Sequence, residues 1–212
     1  MAIVLEGSQQ NTLGSTTVTY SYTVPVATNT ILVIGIATST ADPPSAITYN
    51  TVAMTRLAGD TSGNNGTAIW YLVNPSSGAN TVSMTISGDS DGTKRIVTAT
   101  FSGVHQTTPF GTPATNSGLA GTASTVSVSS ASGEVVVDLV HGLGGVTSLT
   151  KDASQTLIQA ITRTGMSYEA GAASVSMDWT WATSADWEAI GGSLKPVAVA
   201  LAPQGAMTGV GQ

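Results

Sequence analysis

The chain has 212 residues, of which only 8% are Asp, Glu, Lys or Arg, against roughly 25% in an ordinary soluble protein. Its net charge is −6, and its six cations (Arg56, Lys94, Arg95, Lys151, Arg163, Lys195) are scattered apart from the Lys94-Arg95 pair. This excludes the basic stripe of a nucleic-acid binder and the polybasic anchor of a membrane-surface protein. There is no Cys, so no disulfide framework, while 41% hydrophobic residues suffice for a sizeable core and exclude disorder of the whole chain.

In chain order, Met1 to Glu6 lacks the basic and apolar regions of a secretory signal peptide. If Met1 is the true start, the expected location is the host cytoplasm, with release by lysis. Val18, Tyr20, Tyr22 and Val24 alternate with Thr and Ser, the pattern of a strand with one buried face. Ile31–Ala37, Ile69–Val73 and Val135–Val140 are apolar at successive positions, which predicts central strands covered on both sides. The run at Ile31 is far too short for a membrane-spanning helix. Val82, Met84 and Ile86 alternate with polar residues; so do Val126 and Val128, then Val175, Met177, Trp179 and Trp181. Val197, Val199 and Leu201 predict a last strand.

Turn signals separate these runs: Asp42-Pro43-Pro44, Asn64-Asn65-Gly66, Asn74-Pro75, Gly88 to Gly92, Ser132-Gly133 and Gly191-Gly192. No helical period extends over ten residues. About a dozen short strands at this spacing predict an all-β, antiparallel β-sandwich of jelly-roll-like architecture. Residues 1–202 are expected to form one domain. The Gly-, Pro-, Thr- and Ala-rich segment Thr107–Thr125 reads as a long loop crossing between two halves of it, and residues 203–212 read as a C-terminal tail or arm.

Candidate chemistry is sparse. Gly88-Asp89-Ser90-Asp91-Gly92 matches the nucleophile-elbow pattern, with Asp138 and His141 following in hydrolase order. That mechanism needs a strand-to-helix turn, whereas Ser90 lies between two β runs and reads as part of a hairpin loop. Asp89 and Asp91 without further ligands read as the tip of that hairpin rather than a calcium site. His105 and His141 are the only histidines, too few for zinc without recruited carboxylates, and His105 reads as a loop cap or an exposed residue. Asn65-Gly66-Thr67 fits a glycosylation sequon but reads as a turn. Trp179 and Trp181 share the phase of Val175 and Met177, so core filling is the expectation for Trp70, Trp179 and Trp181, with a sugar-stacking platform as the alternative. No catalytic, cofactor-binding or metal residue is assigned. Charges are expected mainly in loops and at strand ends, with Asp138 and Asp178 as in-strand exceptions.

Several segments together resemble a family of jelly-roll domains found in tailed-phage virion proteins and some bacterial surface or exported proteins. They include Asn29-Thr30-Ile31-Leu32-Val33-Ile34-Gly35-Ile36, Ile47-Thr48-Tyr49-Asn50, Ala53-Met54-Thr55, Ile69-Trp70-Tyr71-Leu72-Val73-Asn74-Pro75 and Ser77-Gly78-Ala79-Asn80-Thr81-Val82. Phe101-Ser102-Gly103-Val104-His105-Gln106-Thr107-Thr108-Pro109-Phe110 and Gly133-Glu134-Val135-Val136-Val137-Asp138 continue the order, which runs over about residues 16–202. The resemblance implies a fold, no catalytic constellation and no cofactor. It leads to the expectation of a virion protein, a capsid decoration (cement) protein of a bacteriophage head. The expected partners are the major capsid protein or other virion proteins, and the expected state is a homo-oligomer, a trimer by analogy. The alternative is a carbohydrate-binding or adhesin module on a virion fibre or bacterial surface. Neutral Ser/Thr faces, cheap to desolvate, suit the first reading.

Overall fold

The computed structural model describes residues 1–14, 17–38, 43–60, 66–86 and 92–198. These contain fifteen β-strands and no helix. The first nine are β1 (Val4–Gly14), β2 (Thr17–Val24), β3 (Ile31–Thr38), β4 (Ala46–Tyr49), β5 (Val52–Ala53), β6 (Thr55–Asp60), β7 (Gly66–Val73), β8 (Gly78–Thr85) and β9 (Thr93–Ser102). They form two antiparallel sheets, ordered β1-β9-β3-β7-β6 and β2-β8-β4-β5. Alternation of the chain between layers 1-9-3-7 and 2-8-4-5 is a jelly roll, the expected architecture.

The remaining strands are β10 (Ala114–Ser129), β11 (Val135–Gly142), β12 (Thr150–Lys151), β13 (Thr156–Ile161), β14 (Thr164–Ala170) and β15 (Ser174–Leu194). They form a third antiparallel sheet, β10-β15-β11-β14-β13, with β12 also on β15. The three sheets pack through successive cores. Leu32, Ile34 and Ile36 of β3 face the second sheet with Tyr22, Ile47, Tyr49 and Met84. Ile31 and Val33 face the third with Val137, Leu139, Met166 and Ile190. Every β3 residue is therefore buried, as its unbroken apolar run predicts. Val136 and Val140 of β11 face away from β3 into another core holding Trp179, Trp181 and Trp187. Each buried Val, Leu or Ile contributes about 1.5–3 kcal/mol to these layers.

The first and third sheets are the same motif twice. β3 pairs with β9 and β7 as β11 pairs with β15 and β14, so Ile31 corresponds to Val135, Phe101 to Leu194 and Val73 to Ala170. Both copies carry a register shift at the same place, between Arg56 and Ala58 and between Leu157 and Gln159. Both enter the central strand through a positive-φ residue, Asn29 and Gly133. Both close it with the same backbone bond, Asn74 N–H to Thr30 O at 2.9 Å and Gly171 N–H to Glu134 O at 2.8 Å. The two copies lie face to face. Gly35 marks the closest approach: a Cβ there would stand 2.5 Å from Met166 Sδ and 2.9 Å from Leu139 Cδ1.

In the second copy the outer layer is made by folding the β10–β15 ribbon back on itself. The register slips between Gly118 and Gly121 and again between Gly121 and Ala123, where two steps of β10 span five of β15. Trp187 fills the bend: a Cβ on Gly118 would stand 2.6 Å from its Nε1, too close to fit, and one on Gly121 would stand 3.1 Å from it, a tight contact. Beyond the bend Val126 and Val128 lie over Gly191, whose absent side chain makes room for them.

Two expectations change, and two reach beyond the described residues. Thr107–Thr125 is a loop only up to Pro113; from Ala114 it is strand β10, because β15 supplies a partner along its whole length. Ser90 lies outside the described residues; the flanking strands β8 and β9 belong to different sheets. Past the end of β15 at Leu194, Val197 N–H bonds Gly103 O at 2.9 Å, while Val199 and Leu201 of the expected last strand lie outside the described residues. Charge inside strands is not limited to Asp138 and Asp178, since Asp186 and Glu188 also lie within β15. The predicted tail, 203–212, lies outside the described residues.

Candidate functional site

The residues singled out by sequence fall into separate structural roles. Trp70 packs in the core between the first two sheets, and Trp179, Trp181 and Trp187 pack beneath the folded ribbon. The most exposed of the four, Trp187, is 9% accessible. A stacking platform would need aromatic faces open to solvent, so the core expectation holds. His105 is the predicted loop cap: its Nδ1 accepts the backbone N–H of Thr108 at 3.1 Å and of Thr107 at 3.3 Å. Gly66 and Thr67 of the Asn65-Gly66-Thr67 sequence belong to β7, and Asn65 lies outside the described residues. Ser90, Asp89 and Asp91 lie outside the described residues.

Asp138 and His141 do not converge. Side chains alternate along β11, and the two residues point to opposite faces of the sheet. Asp138 faces the folded ribbon with Val136 and Val140. Its Oδ1 accepts from Ser167 N–H at 2.8 Å and Ser167 Oγ at 2.7 Å, and its Oδ2 accepts from Trp179 Nε1 at 2.6 Å. Burial pushes its pKa up to about 6, against the opposing pull of these bonds. Three donors explain how a carboxylate survives inside an apolar strand, and why Trp179 sits at that one point of the core.

His141 faces the other copy of the motif, within a polar layer that no motif in the sequence announces. In the third sheet Thr164, His141 and Glu188 stand side by side on β14, β11 and β15. In the first sheet Thr67, Ala37 and Arg95 stand side by side on β7, β3 and β9. These are equivalent triplets of the two copies, stacked in opposite directions. Thr67 Oγ1 reaches across to Glu188 Oε2 at 3.0 Å, and His141 Nδ1 meets Thr164 Oγ1 at 2.9 Å. Thr67, His141, Thr164 and Glu188 are all buried. Burial lowers the His141 pKa to about 3, helped by the charges of Arg95 and Arg163. The imidazole is therefore neutral at physiological pH, a structural hydrogen-bonding group and a poor proton shuttle. Among the described residues no three His, Cys, Asp or Glu side chains gather as a metal site.

The remaining feature is a surface. β10 ends its sheet, so the backbone groups along one side have no strand partner among the described residues. Thr115, Asn116, Ser117, Thr125, Ser127 and Ser129 are exposed along it, and none of its 16 residues is charged. Exposed edges are usually guarded by Lys, Pro or a short strand; this one is long and neutral, with Leu119 84% accessible at its bend. The sequence showed the composition of this segment but not its strand, because Gly118, Leu119, Ala120 and Gly121 break the alternation. No family model, curated protein or solved structure matches the chain.

Proposed function

We propose that the protein is a structural virion component, a decoration protein that binds the surface of a phage head and holds its capsomers together. The observation that supports this reading is the uncharged, unguarded edge of β10. Its Ser, Thr and Asn side chains lose little solvation energy when covered, and its outward backbone groups, apart from those already bonded such as Thr125 O to Asn116 Nδ2, can pair with a strand of a neighbouring shell subunit. Binding that favours the assembled shell stabilises it by mass action. A homo-oligomer would present several such edges at once and multiply the effective affinity. The resemblance to phage jelly-roll domains supports the same reading. The adhesin reading drew on tryptophan as a sugar platform, and the four tryptophans lie in cores.

Mass spectrometry of purified particles tests this. The expected result is a fixed copy number relative to the major capsid protein. Absence from every particle would remove the reading.

A further inference from the structure

A single exposed leucine is ordinary on a protein surface, but Leu119 is held out on a braced bend. It is 84% accessible, and with Ala120 it falls outside the β10–β15 ladder, which stops at Gly118 and resumes at Gly121. Ala120 takes a left-handed conformation, φ 50°, and its N–H bonds Asp186 Oδ1 at 2.9 Å. Trp181 Nε1 donates to Gly121 O at 3.0 Å, and Trp187 packs under the bend. A knob fixed in this way loses little conformational freedom when a partner covers it.

An open groove of about 230 Å³ lies between two segments of the third sheet's side of the molecule, Thr147, Ser148 and Leu149 on one wall and Ala160, Ile161 and Thr162 on the other. Leu149, Ala160 and Ile161 are half-buried and give it an aliphatic base, while Thr147, Ser148 and Thr162 are exposed at its rim. At about 30 Å³ for each water-sized group, the space takes a four-carbon side chain. The first wall belongs to the segment that begins at Leu143, whose N–H bonds Asp186 O at 2.8 Å. The groove thus starts beside the residue that braces the knob.

Charge follows the same complementarity. The exposed Asp186 stands beside the knob, and each wall of the groove runs into a cation, Arg163 directly after Thr162 and Lys151 two residues after Leu149. Asp152, next to Lys151, turns its carboxylate into its own turn, where it accepts from Ser154 N–H and Oγ at 2.9 Å. Two copies of a chain with net charge −6 repel over most of their surface, so a contact that sets an acid toward cations and carries an apolar knob is where they can meet.

We propose that the occupant of the groove is a second copy of this chain: Leu119 of each protomer seats in the groove of the other, forming a two-fold dimer. A reciprocal contact requires knob and groove to be close together on one protomer, the arrangement that Asp186 and Leu143 create. Thr125, Ser127 and Ser129 lie beyond the bend, so the contact does not use the edge proposed for shell binding and does not depend on the virion reading. A compact contact of this kind gives a weak dimer whose population depends on concentration.

Sedimentation velocity of the full chain over a concentration series up to about 1 mM tests this, with melting temperature as the check on folding. The expected result is a monomer–dimer equilibrium. Leu119→Ser should raise its dissociation constant about a hundredfold, tenfold for each of the two anchors lost. Ser148→Trp fills the groove from an exposed position and should weaken the dimer as strongly. Both changes are at the surface and should leave the melting temperature of the monomer unchanged. The chain has no cysteine of its own, so Leu119→Cys and Ser148→Cys chains, mixed and oxidised, should crosslink to each other faster than either does to itself. A monomer at every concentration, a dimer that either Leu119→Ser or Ser148→Trp leaves intact, or crosslinks no more frequent in the mixture would overturn the proposal.

Discussion

Arg95 and Glu188 are the same position in the two copies of one motif. Arg95 pairs with Ala37 on β3, and Glu188 pairs with His141 on β11, at matching steps of matching sheets. Opposite charges thus enter one interlayer from opposite sides, Glu188 accepting from Thr67 across it. This pair of substitutions makes the two faces different, and it identifies the polar layer as the place where the copies have diverged.

His141 and Asp138 give the protein two opposing pH dependences. Folded His141 titrates near 3 while the unfolded residue titrates near 6.5. Between those values the unfolded chain binds the extra proton, so stability falls as pH falls, by about 1.4 kcal/mol per unit. Asp138 titrates near 6 when folded against 3.8 unfolded, so between pH 6 and 3.8 the folded chain binds the proton first and stability rises as pH falls. The two contributions offset between pH 6 and 4. His141→Gln should therefore gain stability from pH 6 to pH 4, relative to wild type, and Asp138→Asn should lose it. Urea denaturation at both pH values reads the slopes; slopes equal to wild type in both variants would contradict the assignment.

Trp179→Phe keeps the ring but removes the Nε1 donor to Asp138. The expected loss is about 1–3 kcal/mol, because a buried acceptor loses a partner. The same change should raise the Asp138 pKa above its wild-type value, since one of the bonds favouring its charged form is gone. Carboxyl NMR titration checks the second effect, which a simple packing defect would not produce.

Gly35→Ala tests the face-to-face stacking. The added methyl would meet Met166 and Leu139 across the interlayer, and overpacking of this kind costs about 1–3 kcal/mol. Met166→Ala itself costs about 2–5 kcal/mol, but in that background the further cost of Gly35→Ala should shrink, because the atom in closest contact is gone. Equal destabilisation with and without Met166→Ala would show that the contact is not the cause.

The central strands were legible in sequence because burial on two faces leaves an unbroken apolar run, as Ile31–Ala37 shows. Period-two alternation likewise placed Trp179 in a core. The duplication was not legible, because equivalent positions hold Gly35 and Leu139, Ala37 and His141, Lys94 and Trp187. Packing against a partner sheet constrains volume and register more than residue identity, so the two copies share bulges and turn bonds rather than words. Residues 114–125 of β10 read as loop because their small side chains have weak strand preference, and their pairing depends on β15, some sixty residues away. Asp138 stood out as a charge in an apolar strand, but its partners Ser167 and Trp179 come from β14 and β15, and only the fold brings them to it.

The role proposed for β10 is tested most directly by changing its charge. Thr125→Lys together with Ser127→Lys places two cations at exposed positions of the strand without touching Val126 or Val128. Purified particles assembled with wild-type or variant chain should be compared for copies of the protein per major capsid protein, with melting temperature measured on the free chain. The expected result is a variant that melts as wild type does and is largely missing from particles. Full retention of the variant on particles, with the fold intact, would contradict β10 as the docking edge.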